Sequence, residues 1–328
     1  MDGAWPPPPV LRAAHLTVVP GALAVREGLA WLVRWRGSRG VLRCRPVAGL
    51  APGPIDDVRW LHEFLARLGA FGFPAPRPLP AFAGQSWLLA DSWLWELVSY
   101  LGGREVGWAN APPIEEIGGL LARYHAAAGS ISAVGPISAA GRRPGVIPLA
   151  DVPEVLLSAE LAAACPDPAQ AGVIRGLAER LASDLETSPA PRGAAIVIHG
   201  DFTNHNVIAD GMPPRPVGVI DFERAHVEHP VADLGYGLWP SGRPYQEAAW
   251  LDLTRLRRLV AGYAAAAALA ADDAGMLPLF LYGRGLQMIA KRVRAGRVGA
   301  GMLDQVRWTI AHAAAIADAA VGALPGSC

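Results

Sequence analysis

The chain has 328 residues, 52% of them hydrophobic, and 29 acidic residues balance 29 basic ones. That length suits about two domains. With no field of a single sign, the sequence argues against bulk binding to nucleic acid or to a membrane surface. Lys291 is the sole lysine and arginine makes up the rest of the basic set. Together with abundant Ala, Gly and Pro, this reads as the coding bias of a GC-rich genome. Cys44, Cys165 and Cys328 are odd in number and stand at no metal-ligand spacing. The expectation is a reducing, cytoplasmic compartment without a disulfide framework. The start, Met1-Asp2-Gly3-Ala4-Trp5 and then four prolines, lacks the basic residues and apolar run of a signal peptide. The most apolar long run, 259–271, is too short to span a bilayer.

Residues 1–14 read as a Pro-rich arm. Three strands are predicted next, over 15–19, 30–36 and 40–45, with a turn at Gly37-Ser38-Arg39-Gly40. A helix is predicted over 55–68. Pro54 suits its first turn, Asp56 and Asp57 suit its positive end, and Val58, Leu61, Leu65 and Leu68 recur at three and four. Four prolines between 74 and 80 make an extended connector. Segments 86–90 and 92–98 read as two more strands with a turn at Asp91. After Gly102-Gly103 the pattern turns helical: 113–128, then a Gly/Ser/Pro-rich loop over 129–152, then helices over 155–164 and 169–187. A hairpin is predicted over about 206–220, and 245–323 is mostly helical.

The chemistry concentrates in 199–223. Two apolar runs, 194–198 and 217–220, each end beside an acid, Asp201 and Asp221. Phosphoryl transfer needs a carboxylate at the acceptor hydroxyl, hard oxygen ligands for Mg²⁺ and a cation on the phosphates. Asp201 can serve as the first. Asn206, five residues on, and Asp221, beyond the hairpin, can supply the second, because a hairpin between them draws its open ends together. The set His226-Val227-Glu228-His229 is a weaker alternative pointing to zinc. Pro230 follows at once and breaks the helix on which such spacing usually works.

His199-Gly200-Asp201 with Asn206, followed by Ile220-Asp221-Phe222-Glu223, resembles the motif of the aminoglycoside phosphotransferase and choline kinase family. The run Pro230-Val231-Ala232-Asp233-Leu234-Gly235 is similar to a further segment of that family. The specific part covers roughly 195–235, and a looser likeness extends from about 15 to 310. The resemblance implies an α+β, bilobal protein-kinase-like fold. Residues 1–98 would be a small antiparallel-sheet lobe with one helix that binds the nucleotide. Residues 99–328 would be a larger, mainly helical lobe for catalysis and the acceptor.

The same resemblance implies roles. Asp201 is the catalytic base, Asn206 and Asp221 hold Mg²⁺, His199 buttresses the loop and Asp233 anchors it. Glu223 has a lesser part at metal or substrate. Arg43 stands where the family has a basic residue on the third strand. Its partner should be an acid on the following helix, Asp57 first and Glu63 second. The phosphate-covering turn falls at Arg26-Glu27-Gly28-Leu29, so Gly28 belongs to the nucleotide site. Val98, Ser99 and Tyr100 form the hinge that offers backbone groups to the purine. Trp239, Tyr245 and Trp250 follow the metal loop, where this fold builds its acceptor pocket. The donor is ATP, with GTP possible. The acceptor is a hydroxyl of a small molecule, an antibiotic or secondary metabolite first, with homoserine, choline or a sugar as alternatives. The neutral net charge gives no sign of a strongly cationic aminoglycoside, although Glu223, Glu228, Asp233 and Glu247 could line a pocket for one. A reading of another class is a catalytically silent nucleotide-binding scaffold. Nucleic-acid and membrane partners are not expected, and the oligomeric state is not legible.

Overall fold

The computed structural model describes residues 8–19, 30–47, 54–107, 112–135, 147–165, 167–245, 248–294 and 300–326. The N-terminal part is an antiparallel sheet built from β1 (Thr17–Val18), β2 (Ala30–Trp35), β3 (Ser38–Pro46), β4 (Trp87–Ala90) and β5 (Trp93–Ser99), in the order β1-β2-β3-β5-β4. Both hairpins close in two residues of positive φ, Arg36-Gly37 between β2 and β3 and Asp91-Ser92 between β4 and β5. Such turns match the twist of the flanking strands. The first turn therefore starts one residue earlier than the glycines predict, and β3 begins at Ser38.

Alternation along β3 divides the sheet into two faces. Leu42 and Cys44 point to one side and pack with Trp31, Val33, Trp95 and Leu97. The N-terminal arm joins this cluster as helix α1 (Pro8–Ala13), burying Val10 and Ala14 four residues apart. The opposite face carries Arg43, Arg45 and Glu96, which sit in register across β3 and β5.

Helix α2 (Pro54–Ala70) crosses that second face. Its apolar residues Leu61, Phe64, Leu65 and Leu68 belong to the large core of the helical part. Phe64 meets Tyr124 edge-on with ring centroids 6.4 Å apart. Thus α2, although within residues 1–98, shares its core with the rest of the chain.

The helical part comprises α3 (Ile114–Val134), the short α4 (Val152–Leu157) and α5 (Ala159–Ala164), α6 (Pro168–Thr187), α7 (Pro230–Gly242), α8 (Leu253–Ala264), α9 (Ala271–Gly275), α10 (Leu277–Arg294), α11 (Ala300–Ala311) and α12 (Ala313–Val321). The loop predicted from 129 begins later, since α3 runs on to Val134 and buries Ile131. The helix predicted over 155–164 is two helices, because Ser158 turns extended and its Oγ accepts from Leu161 N at 3.2 Å. Pro230 opens a helix instead of breaking one. At the first turn its missing N–H costs nothing, and His229 Nδ1 accepts from Val231 N at 3.3 Å. Helices α3 and α8 meet backbone to backbone, since a Cβ on Gly118 would lie 2.1 Å from Leu259 O and one on Gly262 equally close to Glu115 O.

Two small sheets sit between the N-terminal part and the helices. β6 (Arg104–Glu105), β8 (Val207–Asp210) and β9 (Arg215–Val219) form one, and β7 (Ile196–Ile198) pairs with β10 (His226–Glu228) in the other. The predicted hairpin over 206–220 is β8–β9. No described helix is long and apolar enough to cross a membrane.

Candidate active site

The loop after β7 is held from behind by one buried carboxylate. Asp233, in the first turn of α7, accepts from His199 N at 2.7 Å, from Gly200 N at 2.9 Å and from His125 Nε2 at 3.2 Å. Burial alone would raise its pKa; the hydrogen bond and charge of His125, with help from His199, hold it below the usual carboxylate range. His125 in turn reaches Tyr263 Oη at 2.8 Å, so α3, α7 and α8 converge on the loop. Gly200 has φ +72°, and a Cβ there would lie 2.3 Å from Arg224 O. Only glycine can make this bend without moving the loop.

His199 is fully buried among Tyr124, Phe202 and Phe222. Its Nε2 lies 3.0 Å from Ile220 O and its Nδ1 lies 3.2 Å from Asp201 N. A carbonyl only accepts and a backbone N–H only donates, so the ring carries its proton on Nε2. This imidazole clamps the Asp201 segment to the Asp221 segment.

The hairpin does bring its ends together. Ile220 N donates to Asn206 O at 2.8 Å, and Val207 stands opposite Val219. Asn206 is almost wholly buried and donates from Nδ2 to Asp201 O at 2.8 Å. Asp221 adopts φ 66°, ψ 58° and caps a single helical turn over Phe222–Arg224. Asp201, Asn206 and Asp221 thus lie on one continuous loop–hairpin–loop unit.

Arg43 meets different acids from those predicted. Its Nη2 lies 3.3 Å from Glu96 Oε1 and its Nη1 lies 3.3 Å from Glu223 Oε1. Glu96 also takes Arg45 Nε at 3.4 Å and His62 Nε2 at 2.9 Å. The correction has a geometric cause: Arg43 and Glu96 are direct cross-strand partners, whereas α2 presents His62 at this point. Glu63 instead pairs with Arg67, four residues along α2, at 2.5 Å. Asp57 stands half-buried in the first turn of α2, and the acids whose charge acts on Arg43 are Glu96, Glu223 and Asp221. Burial opposes the charge of Glu96, but Arg43, the His62 hydrogen bond and Arg45 more than offset it, so the carboxyl sits far below its ordinary range.

Two N–H groups of the predicted hinge bond within the chain. Ser99 N donates to Arg77 O at 2.8 Å and Tyr100 N to Arg39 O at 3.3 Å. Val98 is buried and paired with Val41. A purine must therefore find other donors than the N–H groups of Ser99 and Tyr100. Gly28 and the turn around it lie outside the described residues.

On the other side of Asp201 opens a cavity of about 190 Å³, whose walls include Trp239, Leu281, Met302 and Val306. Trp239 is where the sequence puts it. Tyr245 and Trp250 are not on this cavity. They meet edge to face at 5.4 Å and stay 48% and 42% exposed. The acids predicted for a cationic acceptor do not gather here either. Glu223 faces Arg43, Glu228 bonds His226 Nε2 at 2.8 Å and Tyr236 Oη at 3.2 Å, and Asp233 holds the loop from within. Glu247 lies outside the described residues.

Sequence reasoning missed the cations on this side. Arg284 Nη2 lies 3.1 Å from Asp201 Oδ1 and Arg224 Nε lies 3.7 Å from Asp201 Oδ2. Arg284 stands 83 residues away from Asp201 with no motif to mark it. Glu96 did carry a signal, since it is the lone acid in the apolar run 93–99, and a charge in a buried strand needs a partner.

The sequence of residues 24–275 matches the model of the phosphotransferase enzyme family. The chain belongs to that family. Solved structures show the same fold at low identity. An amicoumacin kinase in complex with AMP-PNP, Ca²⁺ and Ami superposes with a TM-score of 0.66 at 14% identity, over 96% of this chain and 94% of the other. A microcompartment-associated aminopropanol kinase gives 0.64 at 18% identity, over 92% and 91%. The GDP complex of aminoglycoside 2'-phosphotransferase-IIIa gives 0.59 at 17% identity, over 91% and 94%. No curated protein matches by sequence. This phosphotransferase therefore has the aminoglycoside kinase-like architecture, a sheet-rich N-terminal part on a mainly helical remainder.

Proposed function

We propose that this phosphotransferase is a kinase moving the γ-phosphoryl group of ATP, or of GTP, to a hydroxyl of a small molecule in antibiotic or secondary-metabolite chemistry. The observation that carries the reading is the single unit in which Asp201 edges a cavity while Asn206 and Asp221 are tied together through Ile220 N and Asn206 O. Asp201 orients the acceptor hydroxyl in the cavity and takes its proton as the bond to phosphorus forms. Asn206 donates from its amide nitrogen to Asp201 O, and an amide oxygen is of the type that suits a hard cation. Asp221 contributes the charged oxygen. These donors fit Mg²⁺, which when bound neutralises charge on the phosphates.

Arg43 and Arg45 form the donor-side cradle. Arg43 Nε and Arg45 Nη2 are buried, and among the described residues they have no hydrogen-bond partner. Buried donors of this kind are normally satisfied, and phosphate oxygens match them in charge and geometry. The nucleotides in the related structures, AMP-PNP with the amicoumacin kinase and GDP with the aminoglycoside enzyme, agree with a purine nucleoside triphosphate donor.

The test is turnover of ATP and of GTP with Mg²⁺ against a panel of alcohols. Nucleotide turnover that needs Mg²⁺ and disappears in Asp201→Asn is the expected result. Nucleotide that raises Tm without turnover under any condition would instead make the chain a binding scaffold.

A further inference from the structure

Three cations, Arg224, Arg284 and Lys291, gather beside Asp201. On α10, Arg284, Met288 and Lys291 follow at four and three residues and so share one face. Arg224 reaches the same face, its Nη1 lying 3.3 Å from Met288 Sδ. Arg284 stacks over Tyr236 at 5.1 Å and is mostly buried. Of the acids around them, Asp201 is shared by two arginines, Asp221 acts on Arg224 from the loop proposed to hold the metal, Glu223 is engaged by Arg43, and Glu228 is turned to His226 and Tyr236. Lys291 has no ion pair among the described residues. Its ammonium is held below the ordinary lysine range, first by Arg224, then by burial and by Arg284. Thr203, Tyr236, Tyr282, Gln305 and Thr309 complete the polar lining of the cavity, and none of them brings negative charge. A further donor waits on the same wall: Trp239 Nε1 is buried without a hydrogen-bond partner among the described residues.

We propose that the acceptor carries a carboxylate on a compact apolar body, with Arg284, Arg224 and Lys291 as its anion subsite. The apolar body fills the space between Trp239, Leu281, Met302 and Val306. The carboxylate meets the cation face of α10, and the hydroxyl is delivered to Asp201. Guanidinium groups suit this task, since their fork matches a carboxylate and their charge persists on burial. The proposal rests on the kinase reading for the role of Asp201, but the subsite itself is a statement about binding.

The experiment uses three probes with the same hydroxymethyl group and ring: 4-(hydroxymethyl)benzoate, 4-(hydroxymethyl)benzamide and 4-(hydroxymethyl)benzylamine. Their dissociation constants are measured by calorimetry on the full chain without nucleotide, and their phosphorylation is followed with Mg²⁺ and ATP. The benzoate is expected to bind about tenfold more tightly than the amide, with the amine weakest. Lys291→Glu, a change at an exposed helix position, is expected to cancel or invert that order with Tm held. Equal binding of the three probes, preference for the amine, absence of benzoate binding, or an unchanged order in the variant would each overturn the subsite. Loss of nucleotide turnover with the benzoate preference intact counts against the kinase reading alone.

Discussion

On the donor side, Arg43, Arg45 and His62 surround one carboxylate, Glu96, which is fully buried; on the acceptor side, Arg224, Arg284 and Lys291 gather around Asp201, which keeps 31% of its side chain exposed. The first cluster is built into a sheet, where cross-strand register sets every distance and an unpaired charge is costly. The second is assembled from a loop, the turn after Asp221 and a distant helix. Solvent reaches that cluster, since Asp201 keeps about a third of its side chain exposed. Charge in the sheet therefore fixes geometry, and charge at the cavity is, we propose, what selects the acceptor.

That contrast can be broken most severely at Asp233, which supports the acceptor-side loop without touching the cavity. Asp233→Ala leaves the N–H groups of His199 and Gly200 buried and unpaired and strips His125 of its carboxylate. A loss of about 3–5 kcal/mol is expected, read as a clear fall in Tm together with loss of transfer. A smaller loss, about 1.5–3 kcal/mol, is expected for Glu96→Gln, which removes the charge from the centre of the donor cluster. The donor and acceptor sides are then separable by kinetics: KM for nucleotide should rise in this variant and KM for the acceptor should stay put. Equal rises in both would merge the two regions that the structure keeps apart.

Acid titration sharpens the comparison further. Glu96 and Asp233 both have carboxyl groups held below their ordinary range. Each therefore contributes stability at neutral pH that is present above the unfolded value, about 4, and is lost as pH falls through the lowered folded value. Tm should drop steeply below about pH 4, and Glu96→Gln should flatten part of that slope. The mildest expectation concerns Cys44, on the opposite face of β3 from Arg43. Burial pushes its thiol up to about 11, so the nucleophilic thiolate is scarce at neutral pH. Alkylation of Cys44 should be slow in the native chain and fast once denaturant opens the N-terminal sheet.

Much of this arrangement was legible before any coordinates. The strands, the helix over 55–68, the hairpin and the carboxylates at 201 and 221 all follow from local pattern, because turn chemistry and periodicity act over a few residues. Trp239, singled out in the sequence, lies on the cavity wall from within α7. What the sequence did not disclose is pairing at long range. Glu96 displaces the acids of α2 because strand register, which is non-local, puts it beside Arg43. The N–H groups of Ser99 and Tyr100 bond to Arg77 O and Arg39 O, pairings that depend on how distant segments meet. Arg284 and Lys291 lie on a helix whose neighbours are decided only when α7, α10 and α11 pack. Glu223, Glu228 and Asp233 take structural partners away from the cavity for the same reason.

The central claim is that Asp201 serves the acceptor hydroxyl while the donor is held elsewhere. The most direct test is transfer of labelled γ-phosphate from ATP to an alcohol, measured beside nucleotide affinity in Asp201→Asn. Transfer is expected to fall about 10²- to 10⁴-fold while the dissociation constant for Mg²⁺-ATP stays within a few-fold of the wild type. Undiminished transfer in the variant, or loss of nucleotide binding in parallel with transfer, would contradict it.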